Sequence, residues 1–451
     1  METATGRIIG IRHRVKKTTK GEARPTQVAI DDGKEVSTLT LDDRQAELDF
    51  VYGIFPVRWR VVASASDISQ VKPHHRRTRR LADDEQVTNF DHELIVYDGK
   101  TPRLVTHVPV AYDGLRLGDR VVSILGGSGG TFLHALSNIG ERKSLGSTIF
   151  GTPPFVLDQA RPNRDKDQDN RTLIELFKED PELFYVVGPR ERRVIRVREA
   201  LIYRKKCQGD RITCSQRLRQ RYERSLFLTE EGGYPEGTIE DGYDALKASD
   251  QTLKLLVRTE ESANDEIAKA VAEVPVWSIL KEIIGCGPTI AAGIIAAVGD
   301  IRRFQRPGDD GDWRRTANRV KAYLGVHVLQ GGQHADVPPD KQFPRKRRGL
   351  VANWDETLGR QSLYQLADQW NYRPKSDWGQ KLREYKQRLH DKHPTIIEVT
   401  GANGRTIKRY TNGHILKMAR WRTLTKFVEW LVKQWLKLEV SGTATTKAPV
   451  P

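Results

Sequence analysis

From Gly6 to about Phe184 the apolar residues fall in short runs of strand length, and turn signals separate them. The runs are R-I-I-G-I, T-Q-V-A-I, V-S-T-L-T-L, V-R-W-R-V-V, H-E-L-I-V-Y and D-R-V-V-S-I-L, with D-D-G-K and Y-D-G-K among the breaks. This pattern predicts a strand-rich first region with few helices. A charged insert, K-P-H-H-R-R-T-R-R followed by L-A-D-D-E, interrupts it and reads as a surface excursion. Its cations either contact phosphate or only solvate a loop. His74 and His75 in the insert, and His334 further on, have no ligand-spaced partners in sequence and read as surface residues.

Around Pro189 the pattern changes to long basic helical runs, R-E-R-R-V-I-R-V-R-E-A-L-I-Y-R-K-K and R-L-R-Q-R-Y-E-R. After the Gly- and Pro-bearing E-E-G-G-Y-P-E-G, an amphipathic run covers Tyr243 to Val274. Two facing helices joined by a loop are expected, with a wholly helical chain beyond. Trp421, Leu424, Val428, Leu431, Trp435 and Leu438 recur at spacings of three and four and make one apolar stripe, either core or a dimer seam. The last residues, S-G-T-A-T-T-K-A-P-V-P, are small and polar and predict disorder over 441–451. The expected organisation is an α/β region over 1–188, a helical pair over 189–273 and a helical domain over 274–440.

At 451 residues the chain exceeds what one hydrophobic core supports. Seventy-five Lys and Arg against fifty-nine Asp and Glu leave a net charge of +16, which favours a polyanionic partner, most simply nucleic acid. The three cysteines, Cys207, Cys214 and Cys286, match no zinc spacing, and their odd number argues against a disulfide framework. With no leader pattern at Met1 and no apolar run of bilayer length, a soluble cytoplasmic protein is expected, with no membrane partner.

Two glycine-rich stretches invite a chemical reading. The run L-G-G-S-G-G-T-F-L-H-A-L from Leu125 to Leu136 follows a strand but fits neither phosphate fingerprint. No Lys follows the glycines, and counting from Gly127 the third glycine position is Phe132. The second stretch, L-K-E-I-I-G-C-G-P-T-I-A-A-G-I-I-A-A-V-G-D-I-R-R-F from Leu280 to Phe304, reads as a helix-hairpin-helix. Pro288 suits a first helical position, and Gly285 and Gly287 allow a tight turn and close approach to a phosphate, met by amide N–H groups and the helix dipole. Such contact reads the backbone rather than the bases. Arg302 and Arg303 would add cationic reach; the competing reading is a hairpin whose glycines serve packing only. Lys346, Arg347 and Arg348 could grip phosphate or solvate a loop, while Trp354, Tyr364, Trp370, Tyr372 and Trp378 suit base stacking or a helical core.

The hairpin segment, followed by V-K-A-Y-L-G-V at Val320 to Val326, resembles the C-terminal domain of the IS-one-ten transposases, insertion-sequence recombinases guided by a bridge RNA. The resemblance covers roughly Val274 to Gln369 well. It implies a RuvC-like (RNase H-like) α/β domain over 1–188 with an Asp-Glu-Asp-Asp metal site, a helical linker, and a C-terminal domain supplying a nucleophilic serine. Carried over residue by residue, that machinery is depleted. The family strand G-I-D-V-S-K finds Arg12 after Gly10-Ile11, the family glutamate falls on Gly126 beside Ser128-Gly129, and the family serine falls on Leu329 or Gln330. Of the third acidic element, R-D-K-D-Q-D-N-R-T-L puts Lys166 on the first aspartate and Asp169 on the second, with Asp165 and Asp167 adjacent.

Magnesium chemistry needs converging carboxylates. The expectation is therefore a degenerate RNase H-like domain plus a helix-hairpin-helix domain that binds DNA, with a structured RNA and a homo-oligomer left open. The alternative is an active recombinase using Asp165, Asp167 and Asp169 with Mg²⁺, Asp169 being the metal ligand. A third option is an architectural subunit docking through the Trp421 to Leu438 stripe.

Overall fold

The computed structural model describes the chain except for residues 1–5, 16–22, 125–128, 162–165, 229, 231–235, 307–308, 310, 329–343, 345–353, 356, 401–405 and 444–451. It divides into two compact units, Met1–Arg192 and Arg193–Pro451. None of the described helices is long and apolar enough to cross a membrane.

In the first unit, strands β1 (Ile8–Arg12), β2 (Thr26–Asp31) and β3 (Val36–Leu41) form an antiparallel meander leading into helix α1 (Arg44–Tyr52). Next come β4 (Phe55–Val61), β5 (Arg77–Arg80), β6 (Ile95–Asp98) and β7 (Thr101–Asp113), a separate antiparallel sheet in which β7 pairs with the other three. The chain then returns to the first sheet as β8 (Arg120–Ile124), α2 (Gly130–Arg142), β9 (Thr148–Thr152), α3 (Pro154–Ala160), α4 (Asp169–Glu179) and β10 (Tyr185–Val186). The resulting six-stranded order is β10-β9-β8-β1-β2-β3, with β8 parallel to both β1 and β9. Every residue of β1 is buried, which is why its sequence is a continuous apolar run and not an alternation. Gly10 is required there: a Cβ would stand 1.9 Å from the Asn170 carbonyl oxygen, because α4 lies directly on β1.

Each of the six predicted strand runs contains a strand, although in H-E-L-I-V-Y the first three residues, His92–Leu94, form a 3₁₀ turn and β6 begins at Ile95. The charged insert, however, is not only a loop: Arg77–Arg80 is β5, whose backbone pairs with β7, and Arg77 stacks over Trp59 at 4.0 Å. A strand with no apolar residue leaves no periodic signal. Strand β7 carries Pro102 and Pro109, which mask a strand in sequence reading.

The second unit is helical: α5 (Pro189–Phe227), which begins before the boundary, then α6 (Ile239–Ser249), α7 (Gln251–Ala272), α8 (Trp277–Leu280), α9 (Pro288–Val298), α10 (Trp313–Tyr323), α11 (Gly359–Tyr372), α12 (Asp377–Lys392) and α13 (Asn412–Thr443). The run predicted from Tyr243 is two helices, broken at Asp250, whose carboxylate accepts from the Leu253 amide at 2.6 Å and caps α7. The expected wholly helical chain is interrupted by one hairpin, β11 (Ile397–Thr400) and β12 (Thr406–Arg409). Val197, Ala200 and Leu201 of α5 and Ile267 and Val271 of α7 share one core with α9 to α13.

The C-terminal stripe lies in that core: Trp421, Leu424, Val428, Leu431 and Trp435 are no more than 4% exposed. It therefore offers no docking face, and the architectural option loses its surface. Trp370 is fully buried and stacks on Trp378 at 5.5 Å, with Phe427 edge-on at 5.2 Å. Those two tryptophans are core rather than base-stacking residues; Tyr372 is exposed.

Candidate nucleic-acid interface and carboxylate cluster

Because β1 and β8 run parallel, their C-terminal ends emerge side by side, and α4 starts close to β1. Arg12 stands at the end of β1 with its side chain almost buried. Its Nη1 is 3.6 Å from Asp167 Oδ1, and its Nη2 lies 3.5 Å from the Pro25 carbonyl oxygen. Arg24 donates to the same Asp167 oxygen. Asp169, in the first turn of α4, is buried and accepts two hydrogen bonds from Arg161: Nε to Oδ1 at 2.6 Å and Nη2 to Oδ2 at 2.9 Å. Arg161 also pairs with Asp158.

Among the described residues, three guanidinium groups thus meet three carboxylates. A magnesium ion needs oxygen donors with net negative charge left over, and a cation is repelled from a site whose carboxylate oxygens are held by arginines. Asp167 and Asp169 therefore do not fit a magnesium site. Asp165, Gly126 and Ser128 lie outside the described residues, as do Leu329 and Gln330.

A further carboxylate, not singled out in sequence, sits nearby on α1. Glu47 is buried and accepts from Thr26 Oγ1 at 2.7 Å and Arg44 Nη1 at 2.8 Å, with His13 Nε2 at 3.4 Å. Burial alone would raise its pKa, but the His13 and Thr26 hydrogen bonds and the His13 and Arg44 charges hold it at about 2. A glutamate on a helix without a sequence partner gives no signal of this role.

In the second unit the residues expected to form the hairpin make a turn into α9, and the helix before it, expected to reach Ile284, is the four-residue α8, which ends at Leu280. After α8 the chain turns through Gly285, at φ +91°, and Gly287 caps α9 with Pro288 in its first turn. A Cβ on Gly285 would meet Gln369 Cβ at 2.7 Å, whereas one on Gly287 would meet nothing within 4 Å. The two glycines thus have different tasks: the first makes the turn against α11, and the second leaves open space before the α9 amides. That space is a pocket of about 550 Å³ lined by Lys281, Thr289, Gln369 and Arg373 beside the glycines. Cys286 between them points inward, and burial pushes its thiol up to about 12.

Arg302 and Arg303 are engaged within the fold. Arg302 forks onto Asp300, with Nη2 to Oδ2 at 2.6 Å. Arg303 Nη2 donates to the Ala297 carbonyl at 2.8 Å near the end of α9, and its guanidinium covers Phe304 and Tyr323 at 4.7 and 4.6 Å. Lys346, Arg347 and Arg348 lie outside the described residues.

Two features escaped sequence reading because the residues meet only in three dimensions. A hollow of about 660 Å³ between α10, α12 and α13 is lined by Lys321, Arg388, Lys392, Arg422 and Lys426, with Glu429 as its carboxylate. In the first unit, Asp49 of α1 meets His74 and His75 from the segment after β4. His75 is buried, not a surface residue, and its Nε2 is 2.8 Å from Asp49 Oδ2.

No protein-family model matches the chain, and no curated protein matches it in sequence.

Proposed function

We propose that the protein binds nucleic acid through its glycine hairpin and belongs to the transposase lineage without that lineage's metal chemistry. The reading takes the first unit as an RNase H-like fold. The order β10-β9-β8-β1-β2-β3 supports this, with its antiparallel meander on one side of β1 and the parallel β8 and β9 on the other, β10 closing that edge antiparallel. It takes Gly285 to Pro288 as a helix-hairpin-helix that grips a phosphate of DNA, or of a structured RNA, in a chain of net charge +16. The observation that carries it is the open ground in front of Gly287. Amides of the first α9 turn have no intrahelical acceptor, Lys281 and Arg373 stand beside them, and a glycine without a Cβ keeps the approach clear.

The loss of chemistry follows from Arg12, Arg24 and Arg161, whose charges meet Asp167 and Asp169 where a metal would be expected. What the chain's own residues do in this reading is position and neutralise. The hairpin holds a backbone phosphate, and the arginines pin the ends of β1 and α4.

The test is binding of branched and linear DNA duplexes by fluorescence anisotropy across a salt titration, with a cleavage assay in Mg²⁺ and Mn²⁺ alongside. Salt-sensitive binding, weakened by Gly287→Val and Lys281→Glu, with intact DNA in both metals, is the expected result. Unaltered affinity in both variants would remove the hairpin assignment. Metal-dependent strand cutting would instead establish the active recombinase, and sequencing nucleic acid co-purified with the protein separates a DNA from an RNA partner.

A further inference from the structure

The Asp49, His74 and His75 cluster is independent of both the hairpin and the arginine-filled cluster. Three potential ligand atoms, one from each side chain, lie within 4.8 Å of one another. Both imidazoles turn the same nitrogen to one carboxylate. His75 Nε2 is 2.8 Å and His74 Nε2 3.3 Å from Asp49 Oδ2, and the two rings meet edge-on with centroids 4.2 Å apart. In a tetrahedral zinc site with ligand distances near 2.0–2.1 Å, neighbouring donor atoms lie about 3.3 Å apart. Small rotations of these side chains would reach that spacing. Gln45, one turn before Asp49 on α1, holds Asp49 Oδ1 through its Nε2 at 3.0 Å, the kind of outer support that orients a ligating carboxylate.

We propose that these three residues bind a transition-metal cation of the zinc class. Two neutral imidazoles with one carboxylate suit such an ion far better than magnesium, which prefers an all-oxygen shell. Asp49 and His75 are almost wholly buried, while the His74 side chain is 39% exposed. The ion therefore enters from the His74 side, and its fourth position faces solvent.

The site has a structural consequence. Asp49 belongs to the helix that follows the meander, whereas His74 and His75 immediately precede β5 in the basic insert. A metal there fastens the second sheet, with Arg77, Arg79 and Arg80 on β5, to the layer of the first. Without the ion the histidine–aspartate hydrogen bonds make this link, beside the Arg7–Asp113 ion pair that ties the end of β7 to the start of β1.

The test uses the full-length protein, stripped with chelator and titrated with Zn²⁺ against a chromophoric competitor, then with Co²⁺ followed by its visible d–d absorption. One equivalent with a tetrahedral Co²⁺ band is expected. His74→Ala, at an exposed position that leaves the fold intact, weakens Zn²⁺ binding by more than about tenfold, the loss that even outer-shell changes produce. Asp49→Asn and His75→Gln remove the band, and circular dichroism verifies that each variant is folded. No tight equivalent in the wild-type chain overturns the proposal. So does an unchanged Zn²⁺ affinity in folded His74→Ala and Asp49→Asn.

Discussion

Arg161 closes on Asp169 with two parallel hydrogen bonds, Nε to Oδ1 at 2.6 Å and Nη2 to Oδ2 at 2.9 Å, and both side chains are almost entirely buried. Removing one partner leaves a buried charge without its counter-ion, which costs about 3–5 kcal/mol. Arg161→Ala should lower the denaturation midpoint by an amount of that order. The paired change Arg161→Met with Asp169→Leu should recover most of it, because a well-packed apolar pair replaces the ions. Equal stability of Arg161→Ala and the wild type in urea would show that the pair is not formed.

Glu47 makes the first unit sensitive to acid. Its carboxyl is held at about 2 when folded and titrates near the ordinary glutamate value of about 4.3 when unfolded. A lowered folded pKa contributes stability above the unfolded value and loses it as pH falls from about 4.3 towards 2, with about 3 kcal/mol at stake as an upper bound. Thermal unfolding between pH 6 and pH 3 should fall steeply for the wild type. Glu47→Gln, less stable at pH 6, should show a flatter decline.

The two hairpin glycines should separate folding from binding. Gly285→Ala places a side chain at φ +91° against Gln369 and should destabilise the second unit by about 1–3 kcal/mol. Gly287→Val meets open space and gives up only the helix-cap preference for glycine, about 1 kcal/mol, so it should lower the melting temperature by no more than a few degrees while weakening DNA binding. A binding loss in proportion to a stability loss for both variants would mean that the glycines serve packing alone.

Thiol reactivity gives a simple check of the core. Cys207 and Cys286 are buried and Cys214 is partly accessible; the Cys286 thiol is pushed up to about 12, so it carries almost no reactive thiolate at neutral pH. Alkylation of the native protein should label Cys214 first and Cys286 only after denaturant is added. Early labelling of Cys286, read by peptide mass spectrometry, would contradict its inward position.

The apolar pattern alone determined the six strand runs of the first region, the helical start near Pro189 and the amphipathic face of α13. Burial of one face forces that periodicity on any sequence that folds this way. The turn into α9 was legible for a related reason: a left-handed residue and a helix start favour glycine and proline at fixed offsets, which Gly285, Gly287 and Pro288 supply. Strand β5 was not legible, since R-T-R-R enters its sheet through backbone pairing and a stack on Trp59 and carries no apolar code. Nor were the ion pairs. Arg12 and Asp167 are far apart in the chain, as are Asp49 and His75; the packing of α4 on β1 brings the first pair within reach, and the fold of the segment before β5 onto α1 brings the second. Local composition fixes what a segment can become, while charge balance and ligand geometry depend on distances that exist only after the chain has folded.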